Sequence, residues 1–468
     1  MPQLRMPGQR RPAAALLASL ALVVALTAAG LGGCGGGDVS SSPLPPLPGL
    51  TCSGAEQRLW LVDYFDDWYF WRRQAPDPSP FPDRSVAELF QASLYTGNDP
   101  QFPRDRWSRM ESSADFDRFF TGGKSLGYGL FLAGLEIQGQ PDRPLRVRYV
   151  EPRSDAAAQG VQRGEQIVSA GGRSAAQMVA SDDFTPFTPS AEGQNLSLVL
   201  RQGTQERTLS LRATAFALTP VTLGQVLQTP AGRRMGYLHV KDMIDQAEPQ
   251  LAKAFADFRA AGVQELAIDL RYNGGGLVSL ANTLASYVSA ARTHDRTFAS
   301  LRFNDRRAGS NDTRYRFEDP ALALGLTRVY LLTGPRTCSA SELVINGLRP
   351  FVDVVVVGDT SCGKPVGFVP VSRCDTTFNV VNFEAVNADN QGRYFGGIEP
   401  RCAVEENLSQ PLGAPDEPLL AAARQHADSG SCPATSGVLT ARRRALRAAD
   451  GQAVRAGEPP ERQGMWTR

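Results

Sequence analysis

The sequence predicts an α/β protein, and three observations predict it. From about residue 218 onward, short apolar runs alternate with helical stripes of apolar residues. Residues 123–217 carry short strands with alternating apolar and polar positions, punctuated by glycines. Residues 51–122 show helical spacing. The chain has 468 residues, with 49 basic against 48 acidic side chains, and this balance argues against a nucleic-acid partner. Hydrophobic residues at 42% and charged ones at 21% are those of a chain that buries a sizeable core.

Residues 1–33 read as a secretion signal. Arg5, Arg10 and Arg11 precede an apolar run from Ala13 to Ala29, followed by Leu31-Gly32-Gly33-Cys34. A membrane span is the competing reading, but about 17 apolar residues is short for one. Arg10-Arg11 also invites twin-arginine export, which Pro12-Ala13-Ala14 fits poorly. A cysteine placed directly after the small residues resembles a bacterial lipobox. By that resemblance Cys34 carries a lipid and begins the mature chain. Residues 34–50, rich in Gly, Ser and Pro, read as a tether from that anchor.

Within 51–122, Leu61, Phe65, Trp68 and Tyr69 sit at helical spacing, and Val86, Leu89 and Phe90 repeat it. This aromatic cluster reads as core rather than a ligand cage. In the next segment Leu145, Val147 and Tyr149 alternate with Arg146 and Arg148. Leu196–Leu200 and Leu209–Leu211 give two more strands, and a short Ala-rich helix stops at Gly160. The stretch Val150–Gly172 resembles a PDZ domain, so 123–217 is expected to be a β-rich, peptide-binding unit. That resemblance implies that Tyr128, Gly129 and Leu130 receive a peptide C-terminus, with the neighbouring strand edge accepting the peptide as an added strand. The alternative is a small β-domain that only packs.

Residues 218–428 read as the catalytic α/β domain. Gly236–Val240, Glu265–Leu270, Arg328–Leu332 and Val352–Val357 are expected strands. Leu251, Ala254, Phe255 and Phe258 form a helical stripe, as do Leu277, Leu280, Ala281, Leu284 and Val288. A short helix from about Ser341 to Leu348 ends before Pro350. Residues 429–468, with Arg442, Arg443, Arg444 and Arg447, are expected to be a disordered tail, with contact to anionic lipid or a partner as the alternative.

Three features carry chemistry. Cys338-Ser339-Ala340-Ser341-Glu342 lies at a strand-to-helix junction, where unpaired N–H groups create a positive field. Ser339 followed three residues later by Glu342 is equally a capping box. Lys364 stands just past a buried strand, in Thr360-Ser-Cys-Gly-Lys364. The glycine turn after Leu270 offers backbone N–H groups to a developing oxyanion.

Together with the PDZ-like stretch, Asp269-Leu-Arg-Tyr-Asn-Gly-Gly-Gly276, Ser339-Ala-Ser-Glu342, Gly358–Lys364 and Gly396-Gly-Ile-Glu-Pro400 resemble the S41 serine peptidases, the C-terminal processing proteases. The resemblance runs from about residue 125 to 425. It implies a ClpP/crotonase-like catalytic domain, Ser339 as nucleophile and Lys364 as general base. Ser339 and Gly275 would supply the oxyanion hole, with Gly276 beside it. It implies polypeptide substrates and no metal or cofactor.

The assignment makes a physical demand. Serine attacks an amide only if a base takes its proton. Lysine is neutral in roughly one molecule in 2,500 at pH 7 with its ordinary pKa of about 10.4. Burial without a carboxylate partner lowers that pKa by the several units needed. The chain has just four lysines, Lys124, Lys241, Lys253 and Lys364, among its 49 basic residues. Arginine does not deprotonate in proteins, so it would not serve at 364. The sequence departs from the family where many members have glutamine four residues after the lysine; Phe368 stands there. That departure keeps an inactive, peptide-binding scaffold as the alternative function.

Two rival chemistries fail on context. Ser361-Cys-Gly-Lys364 matches S-x-x-K, but Gly363 and Pro365 oppose the helix that this motif needs. A Cys338 thiol nucleophile lacks a neighbouring histidine; His239, His294 and His426 are isolated. Beyond Cys34, six cysteines remain, Cys52, Cys338, Cys362, Cys374, Cys402 and Cys432, and an even number in an exported chain implies disulfides. They allow fifteen pairings. If Ser339 and Lys364 meet, a Cys338–Cys362 bridge follows, leaving Cys374–Cys402 and Cys52–Cys432 by elimination. No Cys/His spacing suggests a metal site. The expected protein is an envelope peptidase, lipid-anchored, facing the periplasm from the outer membrane. Its oligomeric state is left open.

Overall fold

Strand Glu265–Asp269 is buried along its whole length. Leu266 and Ile268 enter one core and Ala267 enters another. The same split recurs along its neighbours. Leu238, Val240, Val329, Leu331, Val354 and Val356 pack with helices Glu248–Ala260, Val278–Thr293 and Ala340–Leu348. Met235, Tyr237, Tyr330, Leu332, Val355 and Val357 pack with helix Pro418–Ser429. Alternate residues of a strand point to opposite faces, so near-continuous apolar runs are what a sheet covered on both sides requires. The result is a three-layer α/β arrangement. The central sheet has the order Val221–Gln228, Arg234–Val240, Glu265–Asp269, Arg328–Thr333, Asp353–Gly358, Cys402–Ala403. Its first pair is antiparallel and the remainder parallel.

The computed structural model describes residues 52–77, 83–133, 144–181, 183–434 and 464–467. The expected signal, Cys34, the tether and the arginine cluster at 442–447 lie outside the described residues. Among the described residues, no helix is long and apolar enough to cross a membrane.

The β-rich segment forms its own sheet from Leu130–Ala133, Arg146–Val150, Gln166–Ala170, Asn195–Gln202 and Gln205–Arg212, in that order, with Arg173–Ser174 paired to the middle strand. Leu145, Val147, Ile167, Leu196, Leu198, Leu200 and Leu211 fill a separate core beneath it. Leu130–Ala133 is an edge strand. The Ala-rich helix spans Asp155–Ala158, and Gly160 leaves it with φ +70°, a conformation that glycine adopts without steric cost. Phe131 and Tyr149 pack on Tyr272 of the catalytic layer, and Arg163 pairs with Glu406 at 2.9 Å.

Helices Gly54–Trp68 and Val86–Ala92 match the N-terminal spacing. They share one core with Val366, Phe378, Val380 and Val381. Arg109–Ser112, within the stretch expected to be helical, is a strand paired antiparallel with Thr376–Asn379. The N-terminal segment is therefore packed onto the catalytic part beside Lys364.

The disulfides are Cys52–Cys374, Cys338–Cys362 and Cys402–Cys432. The pairing reached through the Ser339/Lys364 argument is present. The two assigned by elimination are corrected: strand pairing at Arg109–Ser112 draws the N-terminal segment to the 371–379 hairpin and delivers Cys52 to Cys374. Another difference concerns the tail. Gly464–Trp466 is a buried strand, paired parallel with Gly275–Leu277, rather than disordered chain.

Candidate active site

Three loops at the ends of the central strands build the site. The first follows Asp269. Burial disfavours the Asp269 charge, yet the Arg271 guanidinium at 2.8 Å holds its carboxyl below the usual range. Arg271 also binds Glu417 through two bonds, at 2.6 and 2.9 Å, and Glu417 caps the helix that begins at Pro418. A fully paired buried cation of this kind fixes where the next residues emerge. Asn273 then knits the loop together. Its side chain donates to Val240 O at 3.0 Å and accepts from Gly275 N–H at 2.9 Å. Its carbonyl accepts from Cys338 N–H and from Ser341 Oγ, each at 3.0 Å.

The second loop carries Ser339. Thr337 Oγ1 donates to Leu270 O at 2.8 Å and pins the turn before it. Ser339 precedes helix Ala340–Leu348 with φ +60° and ψ −114°, a strained backbone for a non-glycine residue. Glu342 makes its half of the capping box, accepting Ser339 N–H at 2.8 Å. The Ser339 hydroxyl is fully buried and stands in a capping-box arrangement with Glu342, yet among the described residues it makes no hydrogen bond, to a helix N–H or to Lys364 Nζ. A serine kept for capping would place that oxygen on a helix N–H.

The third loop carries Lys364. Glu342 accepts from Ser361 Oγ, from Gly363 N–H at 2.8 Å and from Lys364 N–H at 2.8 Å. The acidic residue read from sequence as a capping partner is thus the tie between the two segments. Burial pushes the Glu342 carboxyl above its ordinary value, against the lowering effect of these donors. The Cys338–Cys362 disulfide adds a covalent tie at the same place. Lys364 is 2% exposed. Burial pushes its ammonium well below the ordinary lysine value, and the nearby Arg109 charge acts in the same direction. Its Nζ lies 4.7 Å from the Phe368 ring centroid, and the Arg109 guanidinium lies 5.2 Å from that same ring. An aromatic ring four residues further along the chain thus faces the amine.

The expected oxyanion donors are both engaged: Gly275 N–H with Asn273 Oδ1, and Ser339 N–H with Glu342. The backbone N of Ala340, a residue not singled out from sequence, lies beside Gly275. An added Cβ on Gly275 (φ +109°) would stand 2.9 Å from Ser339 Cβ and 3.0 Å from Ala340 N, and would strike Gly464 O. At Gly276 (φ +138°) a Cβ would strike the Met243 backbone, whose N–H bonds Gly275 O at 3.2 Å. Only glycine fits either position. Tyr128, Gly129 and Leu130 lie on the β-rich unit, at the head of its edge strand. There the Tyr128 and Gly129 carbonyls accept from Ala156 and Glu151 N–H groups.

Among the described residues, two side-chain groups have metal-ligand composition: Cys402, His426 and Cys432, and Cys338, Glu342 and Cys362. Each contains a disulfide, whose sulfurs are not the thiolates that bind metal.

Residues 234–404 match peptidase family S41. The carboxy-terminal processing protease CtpB of Bacillus subtilis (strain 168) is 23% identical over 319 residues, covering 68% of this chain and 62% of the relative. A carboxyl-terminal-processing protease of Picosynechococcus sp. is 23% identical over 234 residues, covering 49% of this chain and 53% of the relative. The chain therefore spans less than two thirds of either curated relative. A crystal structure from Bacteroides fragilis NCTC 9343, described as a candidate S41 protease, superposes with a TM-score of 0.62 at 23% identity. That superposition covers 82% of this chain and 100% of the other, and shows a shared fold.

Proposed function

We propose that this chain, whose residues 234–404 are of the S41 peptidase family and similar to C-terminal processing proteases, is a serine endopeptidase with a Ser/Lys dyad. The observation that carries the reading is the Ser339 hydroxyl. It is buried, unpartnered and held on a strained backbone, with its segment tied to that of a buried lysine.

Neutral Lys364 accepts the Ser339 proton as the hydroxyl attacks a peptide carbonyl. The proton then passes to the departing amine, and water hydrolyses the ester. Ala340 N–H at the helix start and the Gly275–Gly276 strand surround the carbonyl oxygen. Amide hydrolysis by this route uses no metal or cofactor. The edge strand Leu130–Ala133 and the Tyr128-Gly129-Leu130 loop receive the C-terminal part of the substrate by strand addition. Cys34 carries the lipid that holds the enzyme to the outer membrane, facing exported polypeptides in the periplasm.

Hydrolysis of a fluorogenic peptide by wild type, Ser339→Ala and Lys364→Ala tests the mechanism. Cleavage by wild type and none by either variant is expected. Activity retained in Ser339→Ala excludes the dyad, and no activity in wild type favours a peptide-binding scaffold.

A further inference from the structure

Strand Gly464–Trp466 pairs with one strand of the catalytic part and, on its other side, bridges the chain at Phe368. On one side it pairs parallel with Gly275–Leu277, with Gly464 opposite Gly275 and Trp466 opposite Leu277. Its first N–H donates to Gly274 O at 3.1 Å. On the other side Phe368 N–H donates to Met465 O at 2.9 Å, and Thr467 N–H donates to Phe368 O at 3.3 Å. Main-chain bonding to strand edges is how an extended peptide is held by strand addition.

The side chains are seated as well. Met465 is fully buried, and Trp466 is 6% exposed. The Trp466 ring stands edge-on to Phe120 at 4.9 Å and to Phe116 at 5.8 Å. Tyr315 OH and Thr467 Oγ1 are 2.7 Å apart. At the other end, Gly464 O crowds the point on Gly275 that also lies beside Ser339 Cβ and Ala340 N. A peptide carbonyl therefore stands next to the candidate nucleophile. A Cβ on Gly464 would come within 2.8 Å of Phe368 Cζ, so the groove accepts a residue without a side chain there.

We propose that Gly464–Thr467 is an intramolecular occupant of the substrate groove. It lies where an extended polypeptide substrate lies, and an incoming substrate must displace it. The inference rests on the reading of Ser339 as nucleophile. It also defines the segment that the groove prefers: glycine beside Ser339, then a buried thioether side chain, then an aromatic ring against Phe116 and Phe120. A tethered segment competes at an effective concentration of ~mM, so even a weakly bound one closes the groove to dilute substrate.

The test uses two proteins carrying Ser339→Ala, one full length and one ending at Gln463. A fluorescein-labelled peptide of residues 462–468, Arg-Gln-Gly-Met-Trp-Thr-Arg, is titrated into each and followed by anisotropy. The shortened protein is expected to bind it at least tenfold more tightly than the full-length one. Equal affinity, or no binding to a shortened protein with native circular dichroism, overturns the proposal. If the shortened protein does not fold, full-length Ser339→Ala with Trp466→Ser takes its place. At least threefold tighter binding than by Ser339→Ala alone is then expected, and unchanged affinity overturns the proposal. Neither titration needs catalysis, so a wild-type protein without peptidase activity would refute the enzymatic reading and leave groove occupancy to be decided by binding.

Discussion

Ser339 and Lys364 donate their backbone N–H groups to the same atom, Oε2 of Glu342, each at 2.8 Å. One carboxylate oxygen therefore sets the distance between the two segments. Glu342→Gln places an amide nitrogen, itself a donor, among donors. Its loss is expected to cost about 3 kcal/mol of stability, since bonds to a buried charged acceptor are the strong ones. The value of kcat should fall at least tenfold while KM changes little. Thermal melts and steady-state peptide hydrolysis check the two parts. An unchanged kcat would show that Glu342 does not position the site.

Ser339→Ala should separate activity from stability. The variant removes a buried hydroxyl that has no hydrogen-bond partner among the described residues, and such a group costs ~1–3 kcal/mol to bury. The inactive variant is therefore expected to melt at or above the wild-type temperature. A marked drop in melting temperature would mean that the hydroxyl makes a structural contact after all.

The pH profile should follow the Lys364 amine. Its value in the folded protein lies well below the ordinary lysine value because burial disfavours the ammonium. With the neutral form acting as the base, as proposed above, kcat/KM should rise with pH through that lowered value. Stability has the same sign. Between the folded and unfolded values the unfolded chain binds more protons, so stability increases with pH across that window. Lys364→Met should abolish activity, raise stability at neutral pH and flatten this slope. Chemical denaturation at several pH values reads the slope directly. An unaltered slope in the variant would move the effect to another group.

Loss of the Cys338–Cys362 bridge should harm the site more than the fold. The bridge closes a loop with a sequence separation of 24, for which the chain-entropy contribution is roughly 3 kcal/mol. Cys338→Ser with Cys362→Ser is expected to lower the melting temperature. It should reduce kcat more than the small change in folded fraction explains, because the bridge sits between the two segments that Glu342 joins. Melting curves and initial rates at one temperature test this.

The central sheet was legible because its physics is local. Runs such as Glu265–Leu270 and Val352–Val357 are apolar enough to be buried on both faces, and the helical stripes name the faces that cover them. The short helix from Ser341 was found within one residue of its observed start. The approach of Cys338 to Cys362 was legible for a different reason: it followed from the roles that the S41 resemblance implies for Ser339 and Lys364. Partners set by distant pairing were not legible. Arg109–Ser112 lies in a segment that reads as helical, and its strand exists because it pairs with the edge of Thr376–Asn379. Cys52 then goes wherever that pairing carries it. Glu342 was noticed for its spacing to Ser339, while its contacts with Gly363 and Lys364 depend on a loop folding back from the next strand. The residues 464–467 gave no signal. Four residues after an arginine-rich stretch carry no periodicity, and their burial is decided by a slot that other segments build.

The strand Gly464–Trp466 has a consequence for solubility. Gly275–Leu277 on one side and Phe368 on the other would otherwise present unsatisfied backbone donors and acceptors next to an apolar trough. Exposed edges of that kind recruit strands from neighbouring molecules and seed aggregates. A protein shortened before Gly464 therefore has to be handled dilute, and precipitation on concentrating it would be the signature of a newly opened strand edge at Gly275–Leu277.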